Sequence, residues 1–329
     1  MSRVTIYSIA RECGVSASTV SRAFTRPELV SAEVRRRIFE TAERMDYRPS
    51  TAARGLVTGR TDMIGLVLPD ITNPFFPPFV RAVQHAAARV GSSVLLSDTD
   101  SSASREARMV AQLRGRVDGV IVASPRATGN ALAQATGALP CLLVNRVLPR
   151  LASVVCDNTT ALVQAGDHLY ELGHRTVALL AGPSASWAAG RRSAAIRRWA
   201  RGRDVRLVEL GPFRASFSGG RQAGGELLRT DATAAFAFDD LTAAGVVAEL
   251  AEAGVRIPGD RSIVGCDDVL LARTLTPSLS TVAAPMDELA DTAVRTLTRL
   301  IEAPEGDLEQ LRLPGQFVAR ASTGPAPRT

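Results

Sequence analysis

The sequence contains no lysine, so all 39 of its basic side chains are arginine. Cysteine is nearly absent too. Cys13, Cys141, Cys156 and Cys266 are scattered and form no CxxC pair, which argues against a redox dithiol or a thiolate metal knuckle and leaves each as a small buried apolar residue. No run of 18 apolar residues is present, so no membrane span is expected. The opening "MSRVTIYSIARECG" lacks the apolar h-region of a secretory signal, so the expected location is the cytoplasm. There is no GxGxxG after the first strand, no GxSxG elbow and no P-loop, and no His, Cys or Ser is placed as a nucleophile beside a base. An enzyme is therefore not expected, nor a cofactor. His168 and His174, in "GDHLYELGHR", lack metal-ligand spacing and read as structural residues near a helix end, so no metal site is expected. Internal repeats and low-complexity segments are also missing, and the tail "TGPAPRT" reads as frayed.

What is present is unevenly placed. The formal net charge is +6. Residues 1–60 hold eleven Arg against six Asp or Glu, and the other 269 residues hold 28 basic against 27 acidic side chains. Nearly the whole surplus lies on the first sixth of the chain. Such a block is an electrostatic footprint for a polyanion, although a solvated basic face has the same composition. A length of 329 residues, 46% of them hydrophobic, supports two or three domains, each with its own core.

The first sixty residues read as three helices. Thr5 can cap a helix with Ile6, Ile9 and Ala10 inward, and Gly14 stops it. Ser16 caps a second helix from Ala17 to about Phe24, with Val15, Val20 and Phe24 inward. Ser31 caps a third, striped by Val34, Ile38, Ala42 and Met45. Two helices joined by a Gly-containing turn are the signature of a DNA-reading helix-turn-helix, whose second helix enters the major groove. In that setting Ala17 suits a thymine methyl, Ser18 either kind of base edge, and Arg22 guanine O6 and N7. Ser16, Thr19 and Ser21 suit phosphate. Spacing alone leaves an ordinary capped surface helix as the alternative. The next stretch, "RPSTAARGLVTGR", is short and carries Gly55; it is either a linker or a segment that folds on meeting DNA, with Leu56 as an apolar wedge in the minor groove.

From residue 61 onward, apolar strands alternate with helical runs. The strands are "MIGLVLPD", "SSVLLSD", "DGVIVAS", "CLLVNRV", "TVALLAGP", "VRLVEL", "AAFAFDD" and "RSIVGCDD". This pattern predicts an α/β architecture of parallel sheets covered on both faces, and eight strands suit two doubly wound subdomains. Ligands of such sheets sit beyond the carboxyl ends of the strands. Those ends supply Asn73, Phe75 and Phe76; Asn145 and Arg146; Trp187, Arg191 and Arg192; Phe213; Asp239 and Asp240; and Asp267 and Asp268. Carboxylates, an Arg, an Asn and aromatic faces together suit a polyhydroxylated ligand such as a sugar. Asp240 also reads as the cap of the helix at "LTAAGVV", Asp268 is open between a cap and a ligand contact, and the Phe residues can equally be core.

In combination, "VTIYSIARECGVSASTVSRAF", "RPSTAARGL", "MIGLVLPD" followed by "ITNPFF", "ELGHRTVALLAGP", "SIVGCDD" and "VARAST" resemble the LacI–GalR family of bacterial repressors across essentially the whole chain. The resemblance implies a helix-turn-helix headpiece over 1–48, a hinge helix over 49–60, and an effector-binding and dimerising core of periplasmic-binding-protein type over 61–329. It implies DNA contacts from Thr5, Ser16, Ala17, Ser18, Thr19, Ser21, Arg22, Ala53 and Leu56, and effector contacts from Phe75, Phe76, Asn145, Arg192, Phe213, Asp239 and Asp267. Arg192 falls where the family's effector-binding Arg lies, and neighbouring Arg191 is then structural or on the rim. Asp239 stands where many members have Asn, Asn145 where Asp is frequent, and Cys266 before Asp267 replaces an aromatic. The implied partners are a pseudo-palindromic operator, a small-molecule effector that is most simply a sugar, and a second copy of the chain. An α/β enzyme and a periplasmic binding protein are the competing classes, and neither explains the basic headpiece.

Overall fold

Ile9, Val20 and Ile38 lie in three different helices and are fully buried in one small core. In the computed structural model, which describes residues 4–47, 60–303 and 308–327, these helices are α1 (Ile6–Glu12), α2 (Ala17–Thr25) and α3 (Ala32–Arg44), with a single 3-10 turn, Pro27–Leu29, before α3. The α1–α2 turn depends on Gly14. Its φ is +62°, a region costly for residues with a Cβ. There the Gly14 N–H donates to the Arg11 carbonyl and the Val15 N–H to the Ala10 carbonyl, which satisfies the carbonyls at the helix end. Phe24 packs edge-on against Phe39 at 5.0 Å, and Glu12 pairs with Arg44 at 3.0 Å. Ser31 occupies the start of α3, but its side chain makes no capping bond.

Contacts divide the chain into two compact units, Met1–Asp62 and Met63–Thr329. Among its described residues the second unit has twelve strands: β1 (Met63–Leu68), β2 (Ser93–Asp98), β3 (Gly119–Ala123), β4 (Cys141–Val144), β5 (Ala152–Asp157), β6 (Thr176–Leu180), β7 (Arg206–Leu210), β8 (Ala234–Phe236), β9 (Ser262–Val264), β10 (Thr281–Ala283), β11 (Gln310–Pro314) and β12 (Gln316–Val318). Its helices are α4 (Phe76–Arg89), α5 (Ala103–Leu113), α6 (Gly129–Thr136), α7 (Thr159–Glu171), α8 (Trp187–Gly202), α9 (Phe217–Leu227), α10 (Asp240–Glu252), α11 (Leu270–Thr274) and α12 (Met286–Glu302).

The strands form a six-stranded parallel sheet in the order β11-β5-β4-β3-β1-β2 and a four-stranded parallel sheet in the order β7-β6-β8-β9. β10 and β12 pair antiparallel. The two subdomains are not contiguous in sequence. After β10 the chain returns to the first, where Leu289, Ala293 and Leu297 of α12 bury beside Phe79, Val83 and Ala86 of α4. It then adds β11 to that sheet and crosses back at Gly315 into β12. A Cβ at Gly315 would stand 2.4 Å from Asn158 Oδ1, so a larger residue here would displace the Asn158 side chain.

The eight expected strands are all present, but β5, β10, β11 and β12 were not foreseen. Residues 310–318 alternate exposed and part-buried positions and so lack the continuous apolar run that marks the other strands. The tail also differs from expectation. His174, fully buried, bonds Thr233 Oγ1, Ser262 Oγ and the Gly324 carbonyl, and the Ala326 N–H donates to Leu172. Residues 323–326 are thus tied down. His168 is structural as well, with Nε2 at 2.9 Å from Thr323 Oγ1.

Candidate DNA-reading surface and ligand cleft

On α2, Val20 and Ala23 face the headpiece core, which turns Ser16, Ser18 and Arg22 to solvent and leaves Ala17, Thr19 and Ser21 half-buried. Ser16 Oγ accepts the Thr19 N–H at 3.1 Å and lies 2.8 Å from both Ser18 Oγ and Thr19 Oγ1. The helix therefore opens with a cluster of short hydroxyls beside its unsatisfied amides, an arrangement that admits a phosphate or a base edge closely. Thr5 is exposed at the start of α1, and its N–H donates to Ser8 Oγ at 3.3 Å. Tyr7, 70% exposed on α1, went unremarked in the sequence; an apolar-periodic helix with an aromatic on its outer face was the available signal. Ala53 and Leu56 lie outside the described residues.

In the second unit the carboxyl ends of both parallel sheets face one cleft. The first subdomain contributes Asn73, Phe75, Phe76, Ser124, Arg126 and Asn145; the second contributes Ser186, Ala188, Arg192, Ala215, Phe238, Asp239 and Asp267. An adjoining recess shares Asn145, Ala188 and Arg192 and adds Cys156, Trp187, Arg191 and the Arg312–Asp157 pair. Six of the seven expected effector residues meet here. Phe213 does not. It is buried in the core of the second subdomain with Leu180, Ala223 and Ala243, and its N–H is held by the Ala181 carbonyl at 2.8 Å.

The polar groups of the cleft are held by long-range bonds. Arg192 Nη2 donates to Asp267 Oδ1 at 2.6 Å and Nη1 to the Phe238 carbonyl at 2.7 Å, with the guanidinium over the Phe238 ring. Its Nε is buried and has no partner. Burial works against the Arg192 charge, but Asp267 outweighs it and keeps the group protonated. Burial pushes the Asp267 carboxyl up to about 6 against the pull of Arg192. Both side chains were expected to contact the ligand; in the structure each also spends part of its bonding capacity on the other.

Asp267 follows β9 at φ +115° and Asn145 follows β4 at φ +55°, backbone conformations that cost energy and cluster at functional sites. The Asp267 N–H is fixed to the Val282 carbonyl at 2.7 Å, and Asn145 Oδ1 accepts the Cys156 N–H at 2.9 Å. Asp239, not Asp240, caps α10, through Oδ1 to the Thr242 N–H. Its Oδ2 accepts from Asn73 Nδ2 at 3.1 Å, a bond that spans the two subdomains across the cleft. Asp240 lies behind it, buried, accepting from Thr281 Oγ1 and the Val269 N–H. Asp268 neither caps nor lines the cleft; it pairs with Arg320 and Arg273.

Cys13, Cys141 and Cys266 are buried as expected, whereas Cys156 is half-buried on the cleft wall. Burial raises its thiol to about 12, so it stays protonated near neutral pH and is a poor nucleophile. Among the described residues, no cluster of His, Cys, Asp and Glu could hold a metal, and no helix is long and apolar enough to cross a membrane.

A basic helix-turn-helix followed by a two-subdomain cleft defines a ligand-gated DNA-binding regulator, and the comparisons with known proteins agree. Residues 5–50 match the model for bacterial regulatory proteins of the lacI family, and residues 166–323 match a periplasmic binding protein-like domain. The chain is 30% identical over 333 residues to the HTH-type transcriptional regulator DegA of Bacillus subtilis, covering 98% of this chain and 99% of DegA. It superposes on the crystal structure of the lac repressor dimer bound to operator and an anti-inducer with a TM-score of 0.89, at 26% identity and covering 98% and 100% of the two chains. It also matches a LacI family transcriptional regulator from Enterococcus faecium with bound ribose, at 32% identity and a TM-score of 0.72, covering 80% of this chain and 99% of that one. The chain belongs to the LacI family of bacterial transcriptional regulators, and such relatives are regulators, not enzymes.

Proposed function

We propose that this chain is a homodimeric repressor that reads a pseudo-palindromic operator and is released from it by a sugar-like effector bound between the core subdomains. The observation that carries the reading is the cross-cleft bond from Asn73 to Asp239, set beside the buried Arg192–Asp267 pair. One subdomain donates and the other accepts, so a ligand whose hydroxyls compete for these groups changes how the subdomains meet. The ribose in the E. faecium relative and the operator in the lac repressor structure support the two halves of the reading.

In this reading the headpiece is residues 1–48, the hinge 49–60 and the effector and dimer core 61–329. Two-fold symmetry of the protein imposes a two-fold operator. Base edges are read by Ala17, Ser18 and Arg22, and phosphates by Ser16, Thr19 and Ser21, with Thr5 alongside. Ala53 and Leu56 enter the central minor groove. Effector hydroxyls bond Asn145, Arg192, Asp239 and Asp267, while Phe75 and Phe76 cover the apolar face of the ring.

Selection from random duplex DNA tests this directly. The protein should return two inverted half-sites about one helical turn apart. Enrichment of a single half-site, or of no motif, contradicts the dimeric reading.

A further inference from the structure

The loop after β3, "SPRATG", is braced from behind. Glu106, almost wholly buried on α5, accepts the backbone N–H groups of Arg126 and Ala127 at 2.8 and 3.0 Å. Arg146 Nη1 donates to the carbonyls of Pro125 and Ala127, each at 2.8 Å. Both anchors bond backbone, so the loop is fixed while the Arg126 side chain is left to line the cleft. Arg126 Nη1 donates to the Ser124 carbonyl at 3.0 Å. Its remaining donors have no protein acceptor among the described residues, and no carboxylate there lies within ion-pair reach.

The other charges of the main cleft are matched, while Arg191 of the adjoining recess is exposed beside the Trp187 ring. Arg192 holds Asp267, Arg312 holds Asp157, and Asp239 is bonded by Asn73 and the Thr242 N–H. Arg126 alone is a half-buried cationic fork in the cleft without a counterion. Burial lowers its pKa, Glu106 opposes that, and Arg146 adds to it. A half-buried guanidinium of this kind is stabilised by an anion that forms two charge-assisted bonds with it.

We propose that Arg126 is the anion-recognising residue of the cleft, and that the effector is a sugar bearing a phosphate or carboxylate group. This rests on the reading of the cleft as the effector site. Hydroxyls of such a ligand face the Asp239 side, and its charged group sits on Arg126.

Calorimetric titration of the full-length protein with ribose and glucose, their 5- and 6-phosphates, and gluconate and glucuronate tests the assignment. At least one anionic member should bind about tenfold or more tightly than its neutral parent, the return on one desolvated charge-assisted pair. Phosphate esters and sugar acids form separate arms and identify the source of the charge. Arg126→Gln should erase the preference, and Arg126→Lys should restore part of it. Neutral sugars binding as well as the anionic ones, binding by no anionic member, or a preference that survives Arg126→Gln would each overturn the assignment. Ala215→Trp, which fills the cleft without altering its charges, separates the two levels. If it abolishes binding while Arg126→Gln keeps the preference, only the anion assignment falls. If it too leaves binding intact, the ligand lies elsewhere and the cleft reading falls with it.

Discussion

The headpiece surface and the cleft hold their functional side chains in opposite ways. Ser16, Ser18 and Arg22 stand exposed on one short helix, and their bonds are to neighbours two or three residues away. Asp239 is buried and the Arg192 and Asp267 side chains are only 12% and 9% exposed, and their partners lie 75 and 166 residues distant in sequence. The first set can change without disturbing the core beneath it. The second cannot, because the same side chains line the cleft, cap α10 and tie strand ends together. Specificity for DNA is thus separable from stability, whereas specificity for the effector is not.

Breaking the comparison at its strongest point gives the largest effect. Arg192→Ala leaves the Asp267 carboxylate buried without its partner, which should cost about 3–5 kcal/mol of core stability. Urea denaturation followed by Trp fluorescence measures this. A loss below about 1 kcal/mol, the range of an exposed pair, would show that the pair is not buried in solution. Arg22→Ala should behave in the opposite way. Denaturation should be unchanged, while about 1–3 kcal/mol of preference at one operator base pair is lost. An unchanged selected motif would remove α2 from the groove. Smaller again is Gly14→Ala, which forces a Cβ into φ +62° with open space around it and should destabilise the headpiece by about 1–2 kcal/mol through backbone strain alone. Thermal melting monitored on headpiece resonances checks it.

The remaining expected effect is a slope rather than a single value. Burial raises the Asp240 carboxyl to about 7 in the folded chain, well above its ordinary value of 3.8. The folded state therefore holds a proton that the unfolded state releases, and this group's contribution to stability falls as pH rises from about 4 to about 7. Burial lowers the pKa of His174, which acts in the opposite sense, so that its contribution is lost as pH falls below 6.5. Comparing denaturation curves of Asp240→Asn and the wild type between pH 4.5 and 7.5 isolates the first. The variant should lose the relative gain on acidification, and parallel pH profiles would contradict the assignment.

These contrasts also explain what the sequence made legible. The headpiece was readable almost to the residue because helix periods, Gly14 and the Ser16 cap are local signals. The strands of the core were readable where the chain carries a marked apolar run, as in "MIGLVL", and missed at β11 and β12, where apolar and polar residues alternate; buried β5 and β10 were missed as well. In the cleft, the rule that ligands gather at strand ends found Asn73, Asn145, Arg192, Asp239 and Asp267. Applied after β3 it would also have found Ser124 and Arg126. It could not reveal that Arg192 and Asp267 bond each other, or that Asp239 rather than Asp240 caps α10. Pairing between distant strand ends is set by the tertiary fold and leaves no spacing in the chain. Phe213 was misplaced for the same reason: its position after a strand was right, but the turn that buries it is not encoded in local periodicity.

The central claim is that one cleft ligand controls operator affinity, and reciprocity tests it most directly. The affinity of the selected operator is measured by fluorescence anisotropy with and without a saturating cleft ligand, and the affinity of that ligand by calorimetry with and without saturating operator. Coupling through the fold requires the two ratios to be equal, because they are two sides of one thermodynamic cycle. Equal ratios differing from one by about five- to 150-fold are expected. Ratios of one for both, with ligand and operator each bound, would show a cleft that binds without regulating.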